Sequence, residues 1–163
     1  MVDTVAGGGS VTDIEDLADR ARRTGTTIAV AESLTSGNLA AAVGAAGGAS
    51  DWFAGGVIAY RTATKERVLD LAPGTDPCSS ACAEQMAVAT RALTGADLAV
   101  STTGVGGPDI QDGHAPGTVY IGWSDASGAG SALLQFDGGP AEIIEESVAA
   151  AVRILLSRLG PAS

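Results

Sequence analysis

The sequence predicts an α/β fold, a three-layer α/β/α sandwich around a mixed sheet, and three observations lead there. Short β-branched runs alternate with Ala-rich helical segments over the first two thirds of the chain, as in parallel strands joined by crossover helices. Two further apolar runs separated by a polar, glycine-containing stretch follow and read as an antiparallel hairpin. Aromatic residues make up only 4% of the chain while glycine occurs 23 times, so the core is built from Ala, Val, Leu and Ile with close backbone approaches.

The first ten residues hold a Gly-Gly-Gly-Ser run without periodicity and read as a disordered tail, leaving residues 11–163 as one domain. Thr12 and Glu15 have capping-box spacing, and Ile14, Leu17, Ala18 and Ala21 then share one face of a helix over 12–24 that Gly25 ends. Residues 26–31 form a buried parallel strand with Ser33 just beyond its carboxyl end, followed by a helix over 35–43. A second strand over 55–60 leads into a helix over 62–71, which Pro73 and Pro77 close off. Residues 79–93 are helical by their Ala and Met content, residues 96–102 form a third strand, and a glycine-rich loop spans 104–113. The hairpin pairs 118–123 with 131–136 through a 124–130 loop, and a helix over 142–159 ends at Gly160-Pro161.

Charge and composition narrow the function. A chain of 163 residues with 45% hydrophobic content encloses a core without staples. The net charge of −10 leaves no basic surface for a phosphate backbone, so nucleic acid is excluded as a partner, whereas a small phosphorylated ligand needs only local backbone N–H groups. Cys78 and Cys82 fit neither a disulfide framework nor a zinc site and read as partly buried thiols, and the single histidine, His114, excludes multi-histidine metal centres. No run is long enough to span a membrane and the N-terminus lacks a signal peptide, which predicts a cytoplasmic protein.

In open α/β sheets ligands collect beyond the carboxyl ends of the strands, and three such ends carry polar clusters: Glu32 to Gly37, Tyr60 to Lys65, and Thr102 to Asp109. A serine at a strand exit can aim its hydroxyl outward, although Ser33 serves equally as a helix N-cap. Lys65 is a base only if neutral, which burial and a tyrosine hydroxyl favour; otherwise it is a solvated lysine beside Glu66 and Arg67. The glycine loop can cradle a phosphate or simply turn the chain.

Taken together, the clusters resemble the CinA C-terminal domain family, whose bacterial members include nicotinamide-mononucleotide deamidases. Residues 31–37 are similar to its Ala-Glu-Ser-Cys-Thr-Gly-Gly segment, and residues 60–65 to its Tyr-Ser-Asn-x-x-Lys segment. Residues 103–108 resemble its Ser-Gly-x-Ala-Gly-Pro loop, and residues 116–119 its Pro-x-Gly-Thr-Val strand, so the likeness spans about residues 12–159. The resemblance implies an amidohydrolase that converts nicotinamide mononucleotide to nicotinate mononucleotide and ammonia, with Ser33 as nucleophile, Lys65 as base and Tyr60 positioning the lysine and helping to carry its proton. It further implies substrate binding by Thr35, Gly37, Thr102, Thr103, Gly104 and Gly106, an oxyanion held by N–H groups at the Ser33 helix start or the 102–106 loop, no metal or organic cofactor, and a homodimer. Leu34, Ser36, Arg61, Thr62, Ile110 and Gln111 depart from the family pattern, and the arginine of its Phe-x-Gly-Asp-Arg segment is replaced by Pro140. A non-catalytic nucleotide-binding paralogue, or an amidase for another small amide, is the alternative those departures leave open.

Overall fold

The computed structural model describes residues 11–160. The tail expected over residues 1–10 lies outside them, as does Pro161. In chain order the elements are α1 (Val11–Thr24), β1 (Ile28–Glu32), α2 (Asn38–Gly44), α3 (Ala49–Trp52), β2 (Phe53–Ile58) and α4 (Thr62–Leu69), followed by α5 (Ser80–Thr94), β3 (Leu98–Gly104), β4 (Thr118–Asp125), β5 (Gly128–Gln135) and α6 (Pro140–Leu159). The five strands form one sheet in the order β2-β1-β3-β4-β5. β1 runs parallel to both β2 and β3, whereas β4 and β5 are antiparallel, so the sheet is mixed as the sequence predicts.

Strand alternation sorts the core into two layers. Ile28 and Val30 of β1 and Leu98 and Val100 of β3 face a cluster with Leu17, Leu39, Val43, Ile143 and Leu155, from α1, α2 and α6. Ala31 faces the opposite side with Leu69, Cys82 and Met86 of α4 and α5. The chain leaves β1 through α2 and α3 over one face and returns from β2 through α4 and α5 over the other. That reversal opens a crevice beyond the carboxyl ends of β1 and β3.

Several boundaries differ from expectation, each for a local reason. α2 starts at Asn38 rather than residue 35, because Ser36 (φ 50°) and Gly37 (φ 101°) are left-handed and hold residues 33–37 in a turn. Helix α3, four residues long, shows no readable period, yet it buries Trp52, whose indole N–H donates to the Gly47 carbonyl at 3.1 Å. The β4–β5 connection is tighter than the predicted seven-residue loop. Asp125 pairs with Gly128, and the Asp125 carboxylate accepts from the Ser127 N–H (2.9 Å) and hydroxyl (2.6 Å). Gly130 lies opposite Trp123, whose ring occupies the space a side chain would need, so a Gly-Ala-Gly stretch serves as strand.

α5 crosses β4 closely enough that a Cβ on Gly122 would run into the Ala83 carbonyl. Gly122→Val is therefore expected to push α5 off the sheet and cost roughly 1–3 kcal/mol, read as a lower thermal midpoint. An unchanged midpoint would show that the helix can shift without loss.

Candidate active site

Parity along β1 decides where Ser33 points. Ile28, Val30 and Glu32 share the α1/α6 face, and Ala29, Ala31 and Ser33 the α4/α5 face. The ladder continues one residue past the strand, since the Ser33 N–H donates to the Thr102 carbonyl at 3.0 Å. This fixes Ser33 toward α4. There, Lys65 stands one turn before Leu69, and both are buried.

Lys65 is only 2% exposed, an unusual state for a lysine and one that requires satisfied donors. Its amine donates to the Ser33 hydroxyl at 2.9 Å and to the Tyr60 carbonyl at 2.8 Å. The Ser33 hydroxyl also lies 3.4 Å from that carbonyl. Burial lowers the Lys65 pKa from its ordinary 10.5, with the charges of Cys82 and Asp112 opposing the change.

The expected residues separate into two groups. Ser33, Tyr60, Lys65, Thr103, Gly104 and Gly106 line one cleft of about 490 Å³ beyond the strand ends. Thr35 and Thr102 do not line it: their hydroxyls bond each other at 2.7 Å on the opposite face of the sheet, both fully buried. Gly37 lies beside Ile58 as the N-cap of α2, so Ser33 is not that cap. Tyr60 holds the lysine through its backbone carbonyl, while its side chain is 64% exposed at the cleft mouth. The phenol makes no bond to the lysine of the kind the sequence suggests.

Glu32 is fully buried, and its carboxylate accepts the N–H groups of Leu39 (2.8 Å) and Ala40 (3.0 Å). The N-terminus of α2 is thereby occupied by a fixed carboxylate and is not free to hold an oxyanion, contrary to one of the two expectations. Gly106 and Gly107 line the cleft, and their N–H groups donate to no described residue.

Leu34, Arg61, Cys78, Gln111, Asp112, Pro140 and Ile144 are among the further residues of the wall, none of them among the catalytic or substrate-binding residues expected from the sequence. Burial, reinforced by the charges of Asp76, Cys82 and Asp112, pushes the Cys78 thiol up to about 11, so it stays protonated and poorly nucleophilic at neutral pH. The glycine loop is clasped to the segment before α5 by His114 Nε2 and Asp76, 2.7 Å apart. Burial works against ionisation of Asp76, but hydrogen bonds from His114 and the Cys78 N–H prevail and hold its carboxyl below the ordinary value. No described helix is long and apolar enough to cross a membrane.

The chain is similar in sequence and in fold to known proteins. The chain is 44% identical over 115 residues to a competence-damage inducible protein of Bacillus velezensis, an overlap covering 68% of this chain and 28% of that one. Its Bacillus subtilis counterpart is 40% identical over the same length and shares. The chain thus spans little more than a quarter of the length of the curated relatives it matches. Among solved structures, a competence-damaged protein (CinA) superfamily protein from Klebsiella pneumoniae superposes with a TM-score of 0.87 at 27% identity, covering 91% of this chain and 96% of that one. A superfamily protein from Enterobacter cloacae gives 0.87 at 26% identity over 98% and 99% of the two chains. The CinA C-terminal domain pattern matches residues 12–159, a span that contains all five strands and every residue of the cleft, and the chain belongs to that family.

Proposed function

We propose that the cleft is the active site of an amidohydrolase that removes ammonia from the carboxamide of nicotinamide mononucleotide. The observation that carries the reading is the buried Lys65 amine, lowered in pKa and 2.9 Å from the Ser33 hydroxyl at a strand exit. A base must sit within hydrogen-bond reach of the proton it takes and be neutral when it does so, and burial favours that neutral form. The cleft volume of about 490 Å³ suits a mononucleotide.

In this mechanism neutral Lys65 takes the Ser33 proton as the Ser33 oxygen attacks the carboxamide carbon. The oxyanion is held by the Gly106 and Gly107 N–H groups of the loop. The Lys65 ammonium passes its proton to the amide nitrogen, the carbon–nitrogen bond breaks, and ammonia leaves an ester on Ser33. Water then gives a proton to Lys65 and attacks that ester, and Ser33 recovers its proton as the nicotinate product departs. The Tyr60 carbonyl keeps the amine aimed at Ser33 through both steps.

The test is ammonia release from nicotinamide mononucleotide by the purified protein, with Ser33→Ala as the blank. Release equal to the blank would sink the reading, and nucleotide binding without release would favour a regulatory role. The pH profile follows from the sign of the Lys65 shift. Because the reactive form is the unprotonated amine, kcat/KM should climb with pH through a midpoint below 10.5 and level off above it. Between that midpoint and 10.5 the unfolded chain binds more protons at this position than the folded one, so stability also rises with pH there. A flat profile from pH 6 to 10 would separate Lys65 from the chemistry.

A further inference from the structure

The chain's single histidine, His114, lies in the glycine loop but does not line the cleft. The base of that loop is fixed where the Val105 N–H donates to the Thr118 carbonyl (2.9 Å) and the Gly117 N–H to the Val105 carbonyl (2.8 Å). Beyond the base, residues 106–115 make one hydrogen bond to a described residue outside 104–118, between His114 Nε2 and Asp76, 2.7 Å apart. The tip is otherwise closed on itself, since Gln111 and His114 exchange both backbone hydrogen bonds (3.1 and 2.9 Å).

Asp76 is anchored independently of the loop. Its Oδ1 accepts from the Cys78 N–H at 2.9 Å, and its carbonyl accepts from the hydroxyl of Ser79, the residue that caps α5. The second carboxylate oxygen, Oδ2, is the one that meets His114. An ionised carboxylate only accepts, and Asp76 is held in that form, so Nε2 carries the proton and donates. Neither His114 nor Asp76 lines the cleft, but their neighbours do: Gln111 and Asp112 on the loop, Pro77 and Cys78 on the segment before α5. The pair therefore joins two walls of the cleft without entering it.

We propose that His114 is a positioning residue of the active site, its bond to Asp76 holding the glycine loop where the Gly106 and Gly107 N–H groups meet the developing oxyanion. The proposal rests on the amidohydrolase reading of the cleft and adds a residue that this mechanism does not otherwise use. The bond is partly exposed, at 27% and 46% of the two side chains, so it contributes little to global stability. Alignment is more demanding than stability: a loop that drifts by more than roughly half an ångström loses the placement that oxyanion donors require.

The test compares wild type with His114→Ala, His114→Gln, Asp76→Ser and the double variant His114→Ala/Asp76→Ser, in ammonia release from nicotinamide mononucleotide and in deuterium exchange of the loop amides. Serine at position 76 still offers an oxygen to the Cys78 N–H but is too short to reach His114. His114→Ala and Asp76→Ser should each lower kcat about 3- to 30-fold, with KM and the thermal midpoint changing much less. The double variant should be no slower than either single change, and His114→Gln, whose amide N–H replaces the Nε2–H, should recover most of kcat. Exchange over residues 106–115 should quicken about 2- to 5-fold in both single variants. Unchanged kcat in His114→Ala, losses that multiply in the double variant, or loop exchange equal to wild type would overturn the proposal. If the wild type releases no ammonia the amidase reading falls, and exchange alone then decides: quickening in His114→Ala keeps the pair as the holder of the loop, and no change removes it.

Discussion

Lys65→Met is expected to cut ammonia release from nicotinamide mononucleotide about 10²- to 10⁴-fold while the protein stays folded, because the lysine acts on the Ser33 proton and not on the substrate. Methionine has a similar length and no charge, so it fills the slot beside Leu69 and Cys82 without a buried amine to desolvate. The thermal midpoint at neutral pH should hold or rise, and the rise of stability with alkaline pH should flatten. Loss of activity together with a raised midpoint separates catalysis from folding. Since Ser33 and Lys65 act as one unit, the double variant Ser33→Ala/Lys65→Met should be little worse than either single change. Near-wild-type release from Lys65→Met would remove the lysine from the mechanism.

How much of this was legible in the sequence depends on the range of the contact. β1 and β3 announce themselves as β-branched runs bounded by Gly25, Gly95 and the polar exits, and the final helix as an amphipathic segment, because these signals are local. Strand parity is also readable in the sequence: counting from Ile28 puts Glu32 on one face and Ser33 on the other, and counting from Leu98 separates Thr102 from Thr103. Applied to the polar cluster, that count would have placed Thr103 in the cleft and Thr102 outside it. Lys65 and Leu69 at i and i+4 similarly hinted that the lysine lies on the buried face of its helix.

Other features were not legible, because they depend on which distant segments meet. That the Tyr60 carbonyl, and not its phenol, holds the lysine follows from the turn between β2 and α4. The inclusion of Asp112, Pro140 and Ile144 in the wall depends on the glycine loop and the start of α6 closing over the same strand ends. Spacing along the chain carries no record of those approaches.

Glu32 combines both kinds of information. It lies next to the nucleophile in the sequence, yet its task appears only when the start of α2 is seen above it, with the Leu39 and Ala40 N–H groups donating to its two oxygens. Glu32→Ala would leave one buried and one half-buried helix N–H group without a partner and remove negative charge from the positive end of the helix, a loss of about 2–5 kcal/mol in stability. For a domain of this size that lowers the thermal midpoint by on the order of 5–15 °C. Glu32→Gln retains one acceptor oxygen and should fall between the variant and the wild type. The turn over residues 33–37 is anchored by Glu32 at its start, so kcat should decline in the same order even at temperatures where all three proteins are folded. A Glu32→Ala midpoint within 2 °C of wild type, a shift of under about 1 kcal/mol, would mean that α2 is held by its apolar face alone, through Leu39 and Val43.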